Sequence, residues 1–256
     1  MSNTYLFLYL LALVQGTLAA ALPWPKKSPT YNQNEIHVTT SCDALYPQDT
    51  GSLGLDAAMT EAPAFLAISL VNSHTADIST THNSNVGAPS PVSGSSLPGT
   101  LAAGATAAIA VPTNWAGIIS VNDAQYPASE QNSLIEANYQ NRTIEKHAIA
   151  DIDVSYVNGF TLPITCSCND LGVTGCNKDL FSLSSCPVNT VDGSCANPLR
   201  SDLGAGAPNS FFEPCQNAAY TYPNDNRANL QNECQNGQIV CCVGTSCPPS
   251  YKQTQD

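Results

Sequence analysis

From Asp151 to Tyr156 polar and apolar residues strictly alternate, Asp151, Asp153 and Ser155 against Ile152, Val154 and Tyr156. A period of two is that of an extended strand, so the two carboxyls and the hydroxyl share one face. Asn158-Gly159 follows, a strong turn signal because both residues tolerate positive φ. A second strand is expected over residues 160–166. A strict two-residue hairpin would set Asp153 opposite Ile164 and place a carboxylate on the apolar face. The pattern therefore predicts either a bulge or strands that part into different sheets, with the Asp side opening onto a cleft. The plain alternative is a solvated polar face on an antiparallel strand.

The same reading gives further strands upstream. AFLAISLVN is a buried strand, and the polar stretch HTADISTTHNSNVGAPSPVSGSS behind it reads as strand fragments and long loops. TLAAGATAAIAVP and NWAGIISV are two strands split by a turn at Pro112-Thr113-Asn114, with Trp115 in the core. SLIEANY, residues 133–139, is another and raises Glu136 on a strand. A helix is expected over 143–149. Asn141-Arg142-Thr143 is a glycosylation sequon, which places Asn141 in a surface loop. After Cys168 strand patterns nearly vanish, and cysteines spaced by Pro and Gly describe loops and short helices held by bridges. The sum is an all-β protein.

The amino-terminal pattern differs. Residues 1–21 carry an almost unbroken apolar run ending in Ala19-Ala20-Ala21, too short to span a bilayer, and read as a secretory signal peptide. Residues 22–61 are first Pro-rich, then polar and without sustained period, and read as an extension; Lys26-Lys27 in it is either a dibasic processing site or two solvated lysines. A β domain is expected over 62–250 and a tail over 251–256. Secretion implies an oxidising compartment, in which eleven cysteines read as a disulfide framework. Zinc is disfavoured for Cys166-Ser167-Cys168 and Cys241-Cys242 because paired CxxC elements are lacking. No metal and no cofactor is expected.

Charge narrows the partners. Twenty acidic side chains against eight basic ones give −12, with no basic stripe to displace counterions from phosphates, so nucleic acid and anionic membrane are excluded as partners. A neutral polymer or a cationic ligand remains. No GxGxxG, P-loop, GxSxG or HExxH is present.

GTLAAGATAAIAVPTNWAG, SLIEANY, DIDVSYVNGFTLPI, CNKDLF…SCP and PCQNAAYTYPNDN occur in this order. In these five motifs, over about residues 65–247, the chain resembles the thaumatin-like (osmotin, pathogenesis-related type 5) family, and most closely its short secreted fungal branch. The resemblance implies a flattened β-sandwich, a disulfide-stapled loop-rich region beside it, and an acidic cleft between them. Of the five charged residues that line the family's cleft, Glu136, Asp153 and Asp225 match. A fourth position holds Asn158 in place of Asp, and the Arg position holds Ile118. By motif position Cys176 pairs with Cys215, Cys186 with Cys195, Cys242 with Cys247, and either Cys166 or Cys168 with Cys234. Cys42, Cys241 and the spare cysteine of the CSC pair are left unassigned.

Three functions follow from the resemblance. The first is a secreted, wall-associated, monomeric protein that binds β-glucan in a cleft of Glu136, Asp153, Asn158 and Asp225 without strong turnover. The second is a weak β-1,3-glucanase with Glu136 as acid and Asp153 as nucleophile or base, since glycosidases need two carboxyls about the scissile bond. The third is a surface antigen or interaction protein with a protein receptor. Without the Arg, the carboxylates lose a cation that would keep them ionised.

Overall fold

A computed structural model describes residues 63–92, 99–142, 147–231, 234 and 236–254. The signal peptide at 1–21, the extension at 22–61 with Lys26-Lys27, and Cys42 lie outside the described residues. Strand-forming alternation dominates the rest. The strands are β1 (Phe65–Asn72), β2 (Ile78–Ser84), β3 (Gly99–Leu101), β4 (Thr106–Pro112), β5 (Trp115–Asp123), β6 (Ser133–Arg142), β7 (His147–Ser155), β8 (Gly159–Phe160), β9 (Ile164–Cys168), β10 (Leu171–Cys176), β11 (Cys195–Ala196), β12 (Leu230–Gln231) and β13 (Gln238–Val243). One short helix, α1 (Leu180–Leu183), starts where the Asp179 side chain accepts from the Phe181 amide.

The strands form a five-stranded sheet, ordered β10-β9-β13-β1-β4, and a six-stranded sheet, ordered β12-β7-β6-β5-β2-β3. Within each strand the even or odd positions face one shared core. Leu66, Ile68 and Leu70 of β1 and Ile239 and Val243 of β13 come from the first sheet; Ile119, Ile135, Ile152 and Val154 come from the second. Each buried aliphatic side chain of this kind contributes about 1.5–3 kcal/mol. Trp115 is wholly buried, and its indole N–H donates to Ser84 Oγ at 2.9 Å. The result is an all-β, sandwich-like domain.

The turn at residues 112–114 carries the chain from one sheet to the other, with Asn114 at φ 69° and its N–H on the Tyr139 carbonyl at 2.6 Å. The chain parts likewise after Ser155: β7 belongs to the six-stranded sheet and β9 to the five-stranded one, with β8 between them paired to β11. That separation resolves the conflict in the sequence, because Asp153 never has to face Ile164 across a hairpin.

Three expectations are corrected. Residues 147–149 extend β7, paired as Arg142↔His147 through Gln140↔Ile149, where a helix over 143–149 was expected; cross-strand pairing with β6 overrides local propensity. Asn141 accordingly stands on a strand, and Thr143 of its sequon lies outside the described residues. Strands do not vanish after Cys168. β13 sits in the middle of the five-stranded sheet, parallel to β1, with β10 at the edge. A six-residue strand between Gly237 and Gly244, interrupted by a Cys-Cys pair, gives no local sign that its partner is β1. Finally, 251–256 is not a tail throughout: Tyr251–Thr254 form a 3-10 turn, Tyr251 packs on the core, and Gln253 and Asn177 exchange hydrogen bonds.

The ten described cysteines form five disulfides: Cys166–Cys241, Cys168–Cys234, Cys176–Cys215, Cys186–Cys195 and Cys242–Cys247. Cys166 and Cys241 are register partners of β9 and β13, so their bridge lies across the ladder. The bridges that close 75, 66 and 39 residues are each worth about 4 kcal/mol in the chain-entropy picture. Among the described residues, no helix is long and apolar enough to cross a membrane.

Candidate functional site

The outward face of the six-stranded sheet collects the acids. Glu136 on β6 and Asp153 on β7 are direct register partners, and Asp151 is the partner of Asn138 one step along the same face. Directly opposed residues have Cβ atoms about 4.5–5.5 Å apart, so the Glu136 and Asp153 carboxyls leave the sheet side by side. On the other flank of Glu136 stands Ile118 of β5, again a direct partner. The acid pair therefore has an aliphatic neighbour where a cation was expected to be missing.

Their environment keeps protons on these groups. Burial pushes Glu136 up to about 7, opposed by a hydrogen bond from the Ser155 side chain and reinforced by Asp151. Burial also raises Asp153 well above the usual carboxylate range, and Glu136 and Asp151 raise it further. Its Oδ1 is buried without a hydrogen-bond partner. Two desolvated carboxyls this close cannot both ionise cheaply, so the pair retains a proton near neutrality. One cation opposes this. Lys252, in the 3-10 turn, lowers the proton affinity of Asp153, and its ammonium is anchored on the carbonyls of Arg227 at 2.8 Å and Asn229 at 2.6 Å.

Tyr220 overlooks the group. Its N–H donates to the Val154 carbonyl and its own carbonyl accepts from Tyr156 N, both at 2.8 Å, which clamps it beside the end of β7. Burial raises its phenol, and Asp153, Asp151, Glu136 and Asp225 add to the rise in that order. A phenol held in that field stays a donor.

The four cleft residues expected from sequence fare differently. Glu136 and Asp153 come together. Asp225 is 1 % exposed and turned into its own loop; its Oδ2 accepts from Thr221 Oγ1 at 2.7 Å and from the amides of Thr221 and Asn217 at 3.3 Å. It reaches the acids only through its effect on Tyr220, so it organises the loop that presents the tyrosine. Asn158 stands beyond the end of β7, where its side-chain amide donates to the Glu130 carbonyl at 2.8 Å and its carbonyl accepts from Asn197 N at 3.2 Å. It fastens the 124–132 loop between β5 and β6.

Asp151, Tyr220 and Lys252 complete the site. Asp151 was legible, since it shares the alternating face with Asp153. Lys252 carried no signal, because nothing local ties residue 252 to residue 153. Among the described residues no group of three His, Cys, Asp or Glu is placed to hold a metal ion. Neither of two surface depressions, one around Phe181–Cys186 and one beside β2 and β3, is lined by these acids.

What the fold and site define is an all-β domain stapled by disulfides, with a partly desolvated carboxyl cluster and a phenol on one sheet face. The chain matches no protein-family model and no curated protein.

Proposed function

We propose that the chain is a thaumatin-like secreted protein that binds β-glucan or a related neutral polysaccharide on the Glu136–Asp153 face, at the cell wall, without strong turnover. The observation that carries this reading is the side-by-side acid pair that holds its proton. A protonated carboxyl beside an ionised one offers a donor and acceptors at one spot, which suits the hydroxyls of a sugar. Tyr220 adds a phenol donor and a ring. The five disulfides fit an extracellular address.

Hydrolysis is the second reading, and one observation favours it: a carboxyl held near 7, as at Glu136, is poised to act as a general acid. Against it stands the shared origin of the pair. Glycosidase carboxyls flank the scissile bond, one protonated and one ionised, whereas these two leave neighbouring strands on the same face, burial raises both, and Glu136 raises Asp153 further.

The test is retention on insoluble β-1,3-glucan together with reducing-sugar release from laminarin. Wild type should be retained and release little sugar, and Glu136→Gln with Asp153→Asn should lose retention. Full retention by the double variant would remove this face from the account. Steady sugar release abolished by Glu136→Gln would instead establish the hydrolase.

A further inference from the structure

The outward face of the six-stranded sheet does not end at the acids. Register carries Asp153 and Glu136 on to Ile118 of β5 and Asn83 of β2. The neighbouring row runs Ser155, Leu134, Ser120 and Thr81. Asn83 donates its side-chain amide to Glu130 Oε1 at 3.0 Å, an exposed contact that puts a polar pair on β2, next to the far edge of the sheet. Ser155, Leu134 and Ser120 of that second row are buried. The open path therefore follows the first row, where Asp153, Glu136 and Ile118 are partly exposed and Asn83 exposed, and reaches Thr81 along β2.

At the far edge lies a depression lined by Ser79, Thr81, Thr100 and Tyr126 among others. Tyr126 is fixed there. Its N–H donates to the Asp123 carbonyl at 3.0 Å, and its carbonyl accepts from Ser79 Oγ at 2.5 Å. Its ring lies against Gly193, where an added Cβ would come within 2.6 Å of the ring. A side chain that loses little freedom on binding, with an apolar ring and hydroxyls around it, is what an uncharged sugar ring needs.

We infer that the binding face is an elongated groove crossing the strands from Tyr220 and the acid pair on β6 and β7 to a distal sugar subsite at Thr81, Thr100 and Tyr126 on the β2–β3 edge. Strand spacing of about 4.8 Å puts β2 about 14 Å from β7, so the ligand is a polymer engaged over several residues rather than a single sugar or its chain end. The inference rests on the reading of the acid face as a polysaccharide site and adds the length and direction of the ligand.

Calorimetric titration of the full chain with β-1,3-linked glucose oligomers of two to six units separates the two. Affinity should climb with oligomer length through the longest oligomers. Tyr126→Ala should weaken the six-unit oligomer about tenfold and leave the two-unit one unchanged. Thr100→Arg, at an exposed position that cannot unfold the core, should do the same by filling the depression. Glu136→Gln should weaken every length. Affinity that is flat beyond three units, or a six-unit oligomer bound equally by wild type, Tyr126→Ala and Thr100→Arg, overturns the distal subsite and leaves the acid face standing. Wild type that binds no oligomer overturns both.

Discussion

The outward faces of the two sheets are built on the same alternation and carry opposite chemistry. A complete row of the five-stranded sheet reads Ala108, Ser69, Val240, Ser167 and Gly172, small and uncharged. The matching row of the six-stranded sheet reads Asn83, Ile118, Glu136 and Asp153. Both sheets commit their inward positions to one core, so the outward positions are free to differ without disturbing the fold. Later chain comes over both faces, but to different effect. On the five-stranded sheet Pro249 and Ser250 lie against the bare backbone of Gly172, whereas on the six-stranded sheet Tyr220 stands beside the acids, which are desolvated by burial. Chemistry that folding does not need has been placed where the fold could most easily omit it.

The largest effect separating the two sheets concerns what holds each together. The five-stranded sheet depends on a parallel pairing of distant segments, β1 with β13, and on the bridge between β9 and β13. Replacing Cys166 and Cys241 together by Ala should cost about 2–5 kcal/mol by denaturant unfolding and leave glucan retention of the folded fraction intact. A cost under about 1 kcal/mol would mean that β13 is held by packing alone. Next in size is Asp225→Ala, which removes an acceptor used by Asn217 and Thr221. It should cost about 2–3 kcal/mol and weaken glucan binding through a displaced Tyr220. Unchanged stability would show that the 217–225 loop does not rely on that carboxyl.

What the sequence made legible follows the same division. The alternation over 151–156 announced the strand and the face of Asp151 and Asp153, because period-two patterning is a local property. The parting of β7 from β9 was one of two ways, with a bulge, to keep Asp153 from facing Ile164. β13 was not legible, since its identity as a central strand depends on β1, some 170 positions away in the chain. Asp225 was misplaced for a related reason. Its motif position is that of a cleft acid, but local hydrogen bonds to Thr221 and Asn217 turn the carboxyl inward. Lys252 was invisible because a 3-10 turn at the end of the chain has no pattern that points to Asp153.

The acid face can be tested through its protons. For Glu136 the folded pKa of about 7 lies above the ordinary 4.5, so between these values the native state binds more protons than the unfolded one. The stabilisation from this group is fully present below about 4.5 and is lost as pH rises through about 7. The chain should therefore lose about 1–3 kcal/mol from this source between pH 5 and pH 8, opposite in sign to ordinary acid denaturation. Glu136→Gln should flatten that slope and be the more stable form at pH 8. A wild-type slope that survives the substitution would assign the protons elsewhere. Glucan retention should fall over the same range, as the shared proton leaves the pair.

The smallest effect should come from the other sheet. Val240 is 43 % exposed in the middle of the uncharged row, so Val240→Lys places a flexible cation in water, touching no buried group. Surface changes of this kind stay within about 0.5 kcal/mol, and the pH slope set by Glu136 should be unchanged, because the substitution lies on the opposite face of the core. Glucan retention should also match wild type. This variant sharpens the contrast more than any larger lesion could: if a single charge on the five-stranded sheet abolished retention while stability held, the polysaccharide would lie on the uncharged face, and the acids of the six-stranded sheet would need a different ligand.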